Sequence, residues 1–267
     1  MRPITELDEM KEIQLSIMQR LHEYCEEKNI KYSLSHGSLI GAVRHKGFIP
    51  WDDDIDIFMP REEYERFCAS FSKEHNSLGL QIVNSHTTPY FGRPMTKVID
   101  PRTVLIEPNY LFDDEIGVNV DIWPIDGVPD LTRDQLRHTK KIKVLLNVMY
   151  ARILRLGACR NPKEKIAHII SSPFSAKRIV HRIESELKKI PYSTSNKVSC
   201  YVDPYKKMFE KSWFDNRILV PFEDKYFYIA EDAEKILTSL YGDYMKLPPE
   251  SKRVFHIKAY RIMDDDE

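Results

Sequence analysis

The residue types best suited to catalysis are concentrated between residues 36 and 58 of this chain. Gly37-Ser38 precedes a short basic helical pattern, and Asp54 and Asp56 then alternate with apolar residues. Backbone N–H groups at a helix start can receive a phosphate. Side chains alternate along a strand, so the two aspartates are predicted to share one face, about 7 Å apart, where they can bind divalent cations. The combination predicts phosphoryl chemistry on a nucleotide, with Mg²⁺ as the cofactor and Mn²⁺ as its substitute.

Two simpler interpretations of the acidic residues remain open. Four of them occupy positions 1, 3, 5 and 12 of an EF-hand calcium loop: Asp52, Asp54, Asp56 and Glu63. Ile57, however, stands where that loop needs glycine for its turn. The residues could also form a solvated acidic loop, although Trp51 and the apolar residues 55–59 flank them.

A third carboxylate lies in another strand pattern, residues 118–123. Asp121 shares a predicted face with Asn119, and a carboxylate from a neighbouring strand is what two-metal phosphoryl transfer needs. It can also accept the proton of an attacking hydroxyl. The alternative role for Asp121 is a strand-end cap. Asp126, which precedes Gly127, is interpreted as a turn residue.

Four basic residues are candidates for binding the phosphates of a donor. Lys97 lies in an apolar strand pattern, where its charge is costly without a partner. A diphosphate or the paired aspartates would supply one, and a structural ion pair is the alternative. Arg44 ends the short helix, where cations also cap helices. Arg253 and His256 would lie beside phosphate if the C-terminal segment folds back, and are otherwise solvated.

Three blocks of sequence resemble the LicD family: residues 37–45 with 51–56, residues 118–127, and residues 240–249 followed by Arg253 and His256. Members of this family are phosphocholine transferases and related enzymes within the nucleotidyltransferase-fold superfamily. Fukutin-type ribitol-phosphate transferases resemble a branch of the same superfamily. The resemblance implies an α+β fold, with a nucleotidyltransferase-like mixed sheet flanked by helices. It also places Asp121 in the catalytic and metal-binding set with Asp54 and Asp56.

The resemblance further implies a CDP-alcohol donor, a hydroxyl of a glycan or lipid-linked glycan as acceptor, and CMP as a product. Modification of cell-surface polysaccharide or teichoic acid would be the setting, with phosphocholine or a similar phospho-alcohol transferred. Two other classes stay open. The same fold supports nucleotidyl transfer, in which NMP moves and pyrophosphate leaves. A non-catalytic nucleotide-binding protein is the third class, although it would be expected to have lost one of the three aspartates.

Periodicity predicts a core of strands and helices, then a basic helical insertion, then a C-terminal segment that returns to the core. The expected domains are 1–130, 131–195 and 196–267. Helices are predicted over 7–28, 39–44, 60–73, 133–156, 162–170, 174–190 and 229–240, and strands over 32–35, 55–59, 80–84, 95–99, 103–106 and 118–123. Gly242 is expected to end the last helix.

Charge is distributed unevenly along the chain. Residues 133–191 contain 15 Lys or Arg and 4 Asp or Glu, a net charge of +11, so the remainder carries −12 of the total of −1. An apolar stripe crosses residues 137–160, and core packing is its ordinary explanation. Peripheral contact with an anionic membrane is the alternative. Nucleic acid is not expected, because exposed aromatics do not interleave with the basic residues.

Composition predicts a cytoplasmic protein, peripheral at most at the inner membrane face. No run of about 18 uncharged apolar residues occurs, and the N-terminus lacks an apolar signal core. The four cysteines are far apart and form no Cys-x-x-Cys pair, which suits a reducing compartment.

Overall fold

The computed structural model describes residues 2–4, 7–74, 78–88, 91–105, 116–159, 161–203, 207–253 and 260–262. The α-helices in these ranges are α1 Leu7–Glu27, α2 His36–Ile40, α3 Arg61–Glu74, α4 Thr132–Ile153, α5 Pro162–Ser171, α6 Ala176–Leu187 and α7 Ala233–Tyr241. A π-helical turn, Gly41–His45, continues α2. No helix in these ranges combines the length and the apolar character that crossing a bilayer requires.

The described strands form three sheets. They are β1 Arg2–Ile4, β2 Ser33–Leu34, β3 Ile55–Pro60, β4 Gln81–Val83, β5 Thr96–Ile99, β6 Thr103–Leu105, β7 Asn119–Val128, β8 Lys197–Ser199, β9 Met208–Glu210, β10 Arg217–Phe222, β11 Lys225–Ala230 and β12 Tyr260–Ile262. The main sheet has the order β2-β3-β7-β5-β4, and β8 extends it from β7 to β9. A second sheet is the hairpin β10-β11, and the third has the order β1-β12-β6.

The main sheet is mixed, which confirms the predicted α+β class. Strands β3 and β7 run parallel, whereas β2, β4, β5, β8 and β9 all pair antiparallel with their neighbours. A parallel pair needs a long crossover between its strands, and here α3, β4, β5 and β6 occupy that connection. The crossover brings the acidic segment before residue 60 beside the strand that contains residue 121.

One hydrophobic cluster joins the sheet to the helices. On α1, Met10, Ile17 and Leu21 are fully buried in it. The stripe of α4 belongs to the same cluster: Ile142, Leu146, Met149 and Ile153 are buried, and Leu145 is partly buried. Core packing therefore explains this stripe, and Leu156 alone among its members is exposed. The division into domains 1–130, 131–195 and 196–267 stays a prediction.

Strand β7 is longer than the sequence pattern indicated. It was expected to end at Pro124, but it continues to Val128. Strand β5 pairs with β7 only as far as Ile122, so that edge of β7 has no partner at Pro124. A residue without an N–H is tolerated at such an unpaired edge.

Two helix boundaries were also predicted wrongly. The last helix starts at Ala233, because Ile229 and the residues before it pair with β10 in a hairpin that the sequence analysis missed. Its predicted end at Gly242 is confirmed, since Gly242 has a φ of 68° at the C-cap. Helix α2 starts at His36 rather than residue 39, so Gly37 and Ser38 lie inside its first turn.

Asp126 is a buried strand residue, which corrects its interpretation as a turn residue. It lies on β7 and accepts two hydrogen bonds from the guanidinium of Arg61, at 2.6 Å and 2.9 Å. Arg61 is buried as well, at the start of α3. The bidentate pair therefore fixes the helix that follows β3 to the strand beside β3.

Removing one charge of this pair should destabilise the fold strongly. Asp126→Asn leaves the buried Arg61 guanidinium uncompensated, and we expect a loss of about 3–5 kcal/mol in the free energy of unfolding. Chemical denaturation followed by circular dichroism measures it. Glu65→Gln is the matched control, because Glu65 bonds the same guanidinium at 3.3 Å with 43% of its side chain exposed. The control should lose less than about 1 kcal/mol. Equal losses in the two variants would contradict the assignment.

Candidate active site

The site begins with the pairing of strands β3, β7 and β5. Asp56 on β3 lies directly opposite Asp121 on β7, and Asp121 lies directly opposite Lys97 on β5. Residues opposite one another on neighbouring strands point to the same face. Two carboxylates and one ammonium thus stand in a row across three strands, and Asp56 and Lys97 are buried.

Each carboxylate of this row has a fixed orientation. Asp121 Oδ1 accepts hydrogen bonds from Lys97 Nζ at 2.6 Å and from Asn119 Nδ2 at 2.5 Å. Asp56 Oδ1 accepts one from Trp123 Nε1 at 2.8 Å. Asn119, Asp121 and Trp123 are alternate residues of β7, so one face of that strand supplies all three side chains.

Lys97 forms an ion pair with Asp121, and this identifies the side chain that balances the charge of the buried lysine. Sequence analysis had suggested Asp54 and Asp56 or a diphosphate, with a structural ion pair as the alternative. The partner is Asp121, and Lys97 is within the row of the site. A contact of Lys97 with a donor phosphate stays a prediction.

Asp54 lies immediately before β3 rather than inside it, since the strand starts at Ile55. The carboxylate oxygens of Asp52, Asp53 and Asp54 come within 4.8 Å of one another. Asp54 is an exposed residue, although neighbouring protein atoms partly desolvate its carboxyl group and Asp56 lies close to it. The acidic loop therefore adds further carboxylates beside the row on the strands.

Crowding of these groups changes their protonation. Burial raises the pKa of Asp56 well above its usual range, and the charge of Asp121 raises it further. The hydrogen bond from Trp123 and the charge of Lys97 only partly offset this. Burial likewise raises the pKa of Asp54, followed by the charges of Asp56 and Asp52. The carboxylates thus lack sufficient positive charge from the described protein groups.

A hard divalent cation suits this donor set. Mg²⁺ and Mn²⁺ prefer carboxylate oxygens, and a bound cation would remove the repulsion that raises the two pKa values. The EF-hand alternative does not fit, because Asp56 and Ile57 lie inside strand β3, where Ile57 pairs with β2 on one side and both residues pair with β7 on the other. A calcium loop needs a sharp turn with glycine at the position of Ile57, and an extended strand cannot make that turn. The roles of Asp54, Asp56 and Asp121 as metal ligands stay a prediction.

Two distant elements hold the acidic loop in place. Gln14 on α1 donates a hydrogen bond to the backbone carbonyl of Asp53 at 2.7 Å. At the tip of the β10-β11 hairpin, Glu223 Oε1 accepts the N–H of Phe48 at 2.9 Å. The hairpin that the sequence analysis missed is therefore one of the supports of the site.

Helix α2 is joined to the acidic residues through its first turn. A Cβ on Gly37 would collide with the carboxylate of Asp52, so only glycine lets that side chain lie against the helix. Ser38 Oγ accepts the backbone N–H of Asp56 at 2.8 Å, and its hydrogen is still able to donate. The predicted phosphate-binding residues are thus connected to the predicted metal ligands.

His36 and Asp203 form a buried pair beside Asp56 that the sequence analysis did not assign. His36 Nε2 lies 3.1 Å from Asp203 Oδ2, and its Nδ1 lies 3.0 Å from Ser35 Oγ and 3.8 Å from Asp56 Oδ2. His36 has a φ of 47°, a left-handed conformation that costs free energy outside glycine. Its position next to Gly37 was the available signal, whereas no sequence pattern points to Asp203.

The C-terminal segment returns to this region, as predicted. Arg44 Nη1 donates to the carbonyl of Tyr244 at 2.5 Å. The Arg253 guanidinium lies over the ring of Trp51, 4.9 Å from its centroid, at the start of the acidic run. His256 lies outside the described residues. Whether Arg44, Arg253 and His256 bind phosphate stays a prediction.

The chain is similar in sequence to known proteins. Residues 29–144 match the family model described as LicD/FKTN/FKRP, nucleotidyltransferase domain. The chain is 33% identical over 265 residues to the lipopolysaccharide cholinephosphotransferase LicD of Haemophilus influenzae, covering 96% of this chain and 98% of that protein. Uncharacterized proteins of Rickettsia typhi and Rickettsia prowazekii match shorter parts. The Rickettsia typhi protein is 44% identical over 66 residues, which is 25% of this chain and 21% of that protein. The Rickettsia prowazekii protein is 49% identical over 47 residues, which is 18% of this chain and 18% of that protein.

The raised carboxyl pKa values predict an unusual dependence of stability on pH. Between the ordinary carboxyl pKa of about 3.9 and the raised values, the folded protein binds more protons than the unfolded chain. Without divalent cations, the melting temperature should therefore fall as pH rises through this interval. Mg²⁺ at neutral pH should restore it. Differential scanning fluorimetry across a pH series, with and without EDTA, measures both effects.

The matched variants are Asp56→Asn, which removes one crowded carboxylate, and Glu12→Gln, on an exposed position of α1. The first should flatten the pH dependence and weaken the response to Mg²⁺, while the second should leave both as in the wild type. A cation-free protein that gains stability over the same interval would contradict the crowding of these groups.

Proposed function

The chain belongs to the LicD family, and on that premise we propose that it transfers phosphocholine from CDP-choline to a hydroxyl of a glycan or lipid-linked glycan. The observation that carries the proposal is the buried pairing of Asp56 with Asp121 across parallel strands, next to Lys97. The Haemophilus influenzae relative, a lipopolysaccharide cholinephosphotransferase, supports the choice of phosphocholine and a lipopolysaccharide-type acceptor. Other CDP-linked alcohols, namely ethanolamine, glycerol and ribitol, are the alternatives within this function.

In the proposed reaction an acceptor hydroxyl oxygen attacks the phosphorus next to choline. The bond from that phosphorus to the bridging oxygen of the diphosphate breaks, and CMP leaves with the bridging oxygen. Asp121 takes the hydroxyl proton. Its Oδ1 is engaged by Lys97 and Asn119. These bonds orient the carboxylate so that its second oxygen can accept the proton.

Asp54, Asp56 and Asp121 would hold Mg²⁺, which neutralises charge that develops on the diphosphate. Gly37 and Ser38 would receive a donor phosphate on the first turn of α2. The basic candidates around them would balance the remaining phosphate charge: Arg44, Lys97, Arg253 and His256. Catalysis in this scheme is positioning plus charge stabilisation, without a covalent intermediate. His36 and Asp203 would keep Asp56 in its orientation, as supports of a metal ligand do.

Turnover should depend on the carboxylates of the row. We expect Asp56→Asn to lower turnover at least about a hundredfold at saturating Mg²⁺, because a lost ligand removes stabilisation of the transition state. Chromatography of CDP-choline reactions with a glycan acceptor gives the rate and the products. Glu12→Gln is the control and should turn over normally. Near-normal turnover of Asp56→Asn would reject the metal site, and pyrophosphate from CTP instead of CMP would assign the protein to nucleotidyl transfer.

Donor binding should separate the roles of Gly37 and Asp121. Gly37→Val should weaken donor affinity measured by calorimetry at least tenfold, since a side chain there displaces Asp52 and blocks access to the α2 backbone. Asp121→Asn should lower turnover with a smaller change in donor affinity. Asp52→Asn is the control, because it changes Asp52 without blocking access to the α2 backbone. It therefore separates the displacement of Asp52 from the blocked access in Gly37→Val. Equal donor affinities for wild type and Gly37→Val would remove α2 from the binding site.

A thermal-shift screen identifies the alcohol. CDP-choline, CDP-ethanolamine, CDP-glycerol and CDP-ribitol are each added with Mg²⁺, and a ligand at a hundred times its dissociation constant stabilises by about 2.7 kcal/mol. We expect CDP-choline to give the largest shift. A larger shift with another donor would leave the proposed reaction type unchanged but would identify a different alcohol in the transferred group.

A further inference from the structure

Helix α5 presents an apolar surface that no described residue covers. Ile166, Ile169 and Ile170 are 56%, 62% and 67% exposed, and Phe174, which follows the helix, is 55% exposed. The three isoleucines are spaced i, i+3 and i+4, so they lie on one side of the helix. We call these four side chains the α5 patch. Bulky apolar side chains exposed together, rather than singly, mark an interaction surface.

The patch is held outward by contacts on the opposite side of α5. His168 Nδ1 lies 2.9 Å from the carbonyl oxygen of Ala151, on α4. Arg152 Nε donates to the carbonyl of Phe174 at 2.9 Å. Ser171, the last residue of α5, is buried. These anchors fix α5 on the end of α4, and the isoleucines cannot turn inward without breaking them.

The segment of sequence that contains the patch is strongly basic. Residues 152–178 contain seven basic side chains, Arg152, Arg155, Arg160, Lys163, Lys165, Lys177 and Arg178, against the single acidic residue Glu164. Lys163 and Lys165 are exposed on α5 itself. An apolar face between lysines and arginines is the pattern of a helix that lies in the interface of an anionic membrane.

We propose that the α5 patch docks this protein onto an anionic membrane surface. A second copy of the chain fits less well, because two copies of this segment, each with a net charge of +6, would repel each other. The purpose of the docking rests on the proposed function, since a lipid-linked acceptor has to be met at a membrane. The evidence for the docking does not rest on the proposed function, because the patch and the charge of its segment are independent of the active site.

Within the basic insertion, the exposed apolar surface is on α5 and not on α4. The stripe on α4 is buried in the core, as described above. Lys141 on α4 is 2.7 Å from the buried Glu186, and Lys189 bonds the same carboxylate at 3.0 Å. Replacing Lys141 with an acidic residue would disrupt this cluster, and a loss of membrane binding would then have a trivial cause. Helix α5 offers positions without that difficulty.

Co-sedimentation with vesicles tests the proposal. The full-length protein is mixed with phosphatidylcholine vesicles that contain either no anionic lipid or about 30% phosphatidylglycerol, at low and high salt. We expect binding to the anionic vesicles, weakened at least tenfold by high salt. The double change Ile169→Gln with Ile170→Gln should weaken it at least tenfold at low salt. The double change Lys163→Glu with Lys165→Glu should do the same and reduce the dependence on salt.

The matched controls are exposed residues elsewhere. Ile218→Gln with Leu219→Gln removes two apolar side chains of β10 that are 43% and 49% exposed, and Lys225→Glu with Lys235→Glu reverses two lysine charges outside the insertion. Both controls should bind as the wild type does. Melting curves confirm that every variant is folded.

Three results would overturn the proposal. These are wild-type protein that stays in the supernatant at low salt, a patch variant that binds as its control does, and a monomer–dimer equilibrium in analytical ultracentrifugation that the patch variant abolishes. The last result would assign the patch to a second copy. Turnover with a soluble acceptor is measured separately, and the patch variants should retain it. If the reaction is assigned wrongly, the vesicle result can therefore still be interpreted. If the vesicle result overturns the docking proposal, the turnover measurement can still be interpreted.

Discussion

The site depends on one electrostatic conflict, the pairing of Asp56 with Asp121 at the same level of two parallel strands. Like charges directly opposite each other on a sheet are destabilising, and burial of Asp56 adds to the cost. The fold tolerates the pairing because polar groups are arranged around it. Lys97 bonds Asp121 from the third strand, and Trp123 bonds Asp56. The remaining excess of negative charge is a reason for this protein to bind a cation.

Contacts from several parts of the fold hold the elements around the Asp56–Asp121 pair in position. The crossover from β3 to β7 is fixed at its start by the buried pair of Arg61 with Asp126. The acidic loop is fixed by Gln14 on α1 and by Glu223 at the hairpin tip. Helix α2 is fixed through Ser38 to the backbone of Asp56. Each support comes from a different part of the chain, so the site depends on tertiary contacts and not on one local segment.

The sequence was informative where local chemistry determines structure. Alternation around Asp56 and Asp121 predicted strands β3 and β7, and the last helix ends at Gly242 as predicted. It was uninformative where the partner is distant. Asp126 looked like a turn residue because its neighbour is glycine, whereas it pairs with Ser199 of β8 and its side chain bonds Arg61, 65 residues earlier. Lys97 could be recognised as needing a partner, but only the β5-β7 register determines that this is Asp121. Asp203 lies 3.1 Å from His36, a contact between distant parts of the chain that no sequence pattern predicts.

The same electrostatics constrain the order in which ligands reach the site. Under the proposed function a CDP-linked donor brings a diphosphate to a region where five carboxyl groups lie close together, those of Asp52, Asp53, Asp54, Asp56 and Asp121. Lys97 is already paired with Asp121, and Arg44 donates to a backbone carbonyl. These two cations cannot reverse the sign of the potential against five carboxylates at short range. Under the proposed function the divalent cation must therefore bind before the donor or together with it. Protons that occupy Asp54 and Asp56 would compete for the same positions, so metal binding and donor binding are expected to weaken together as the pH falls.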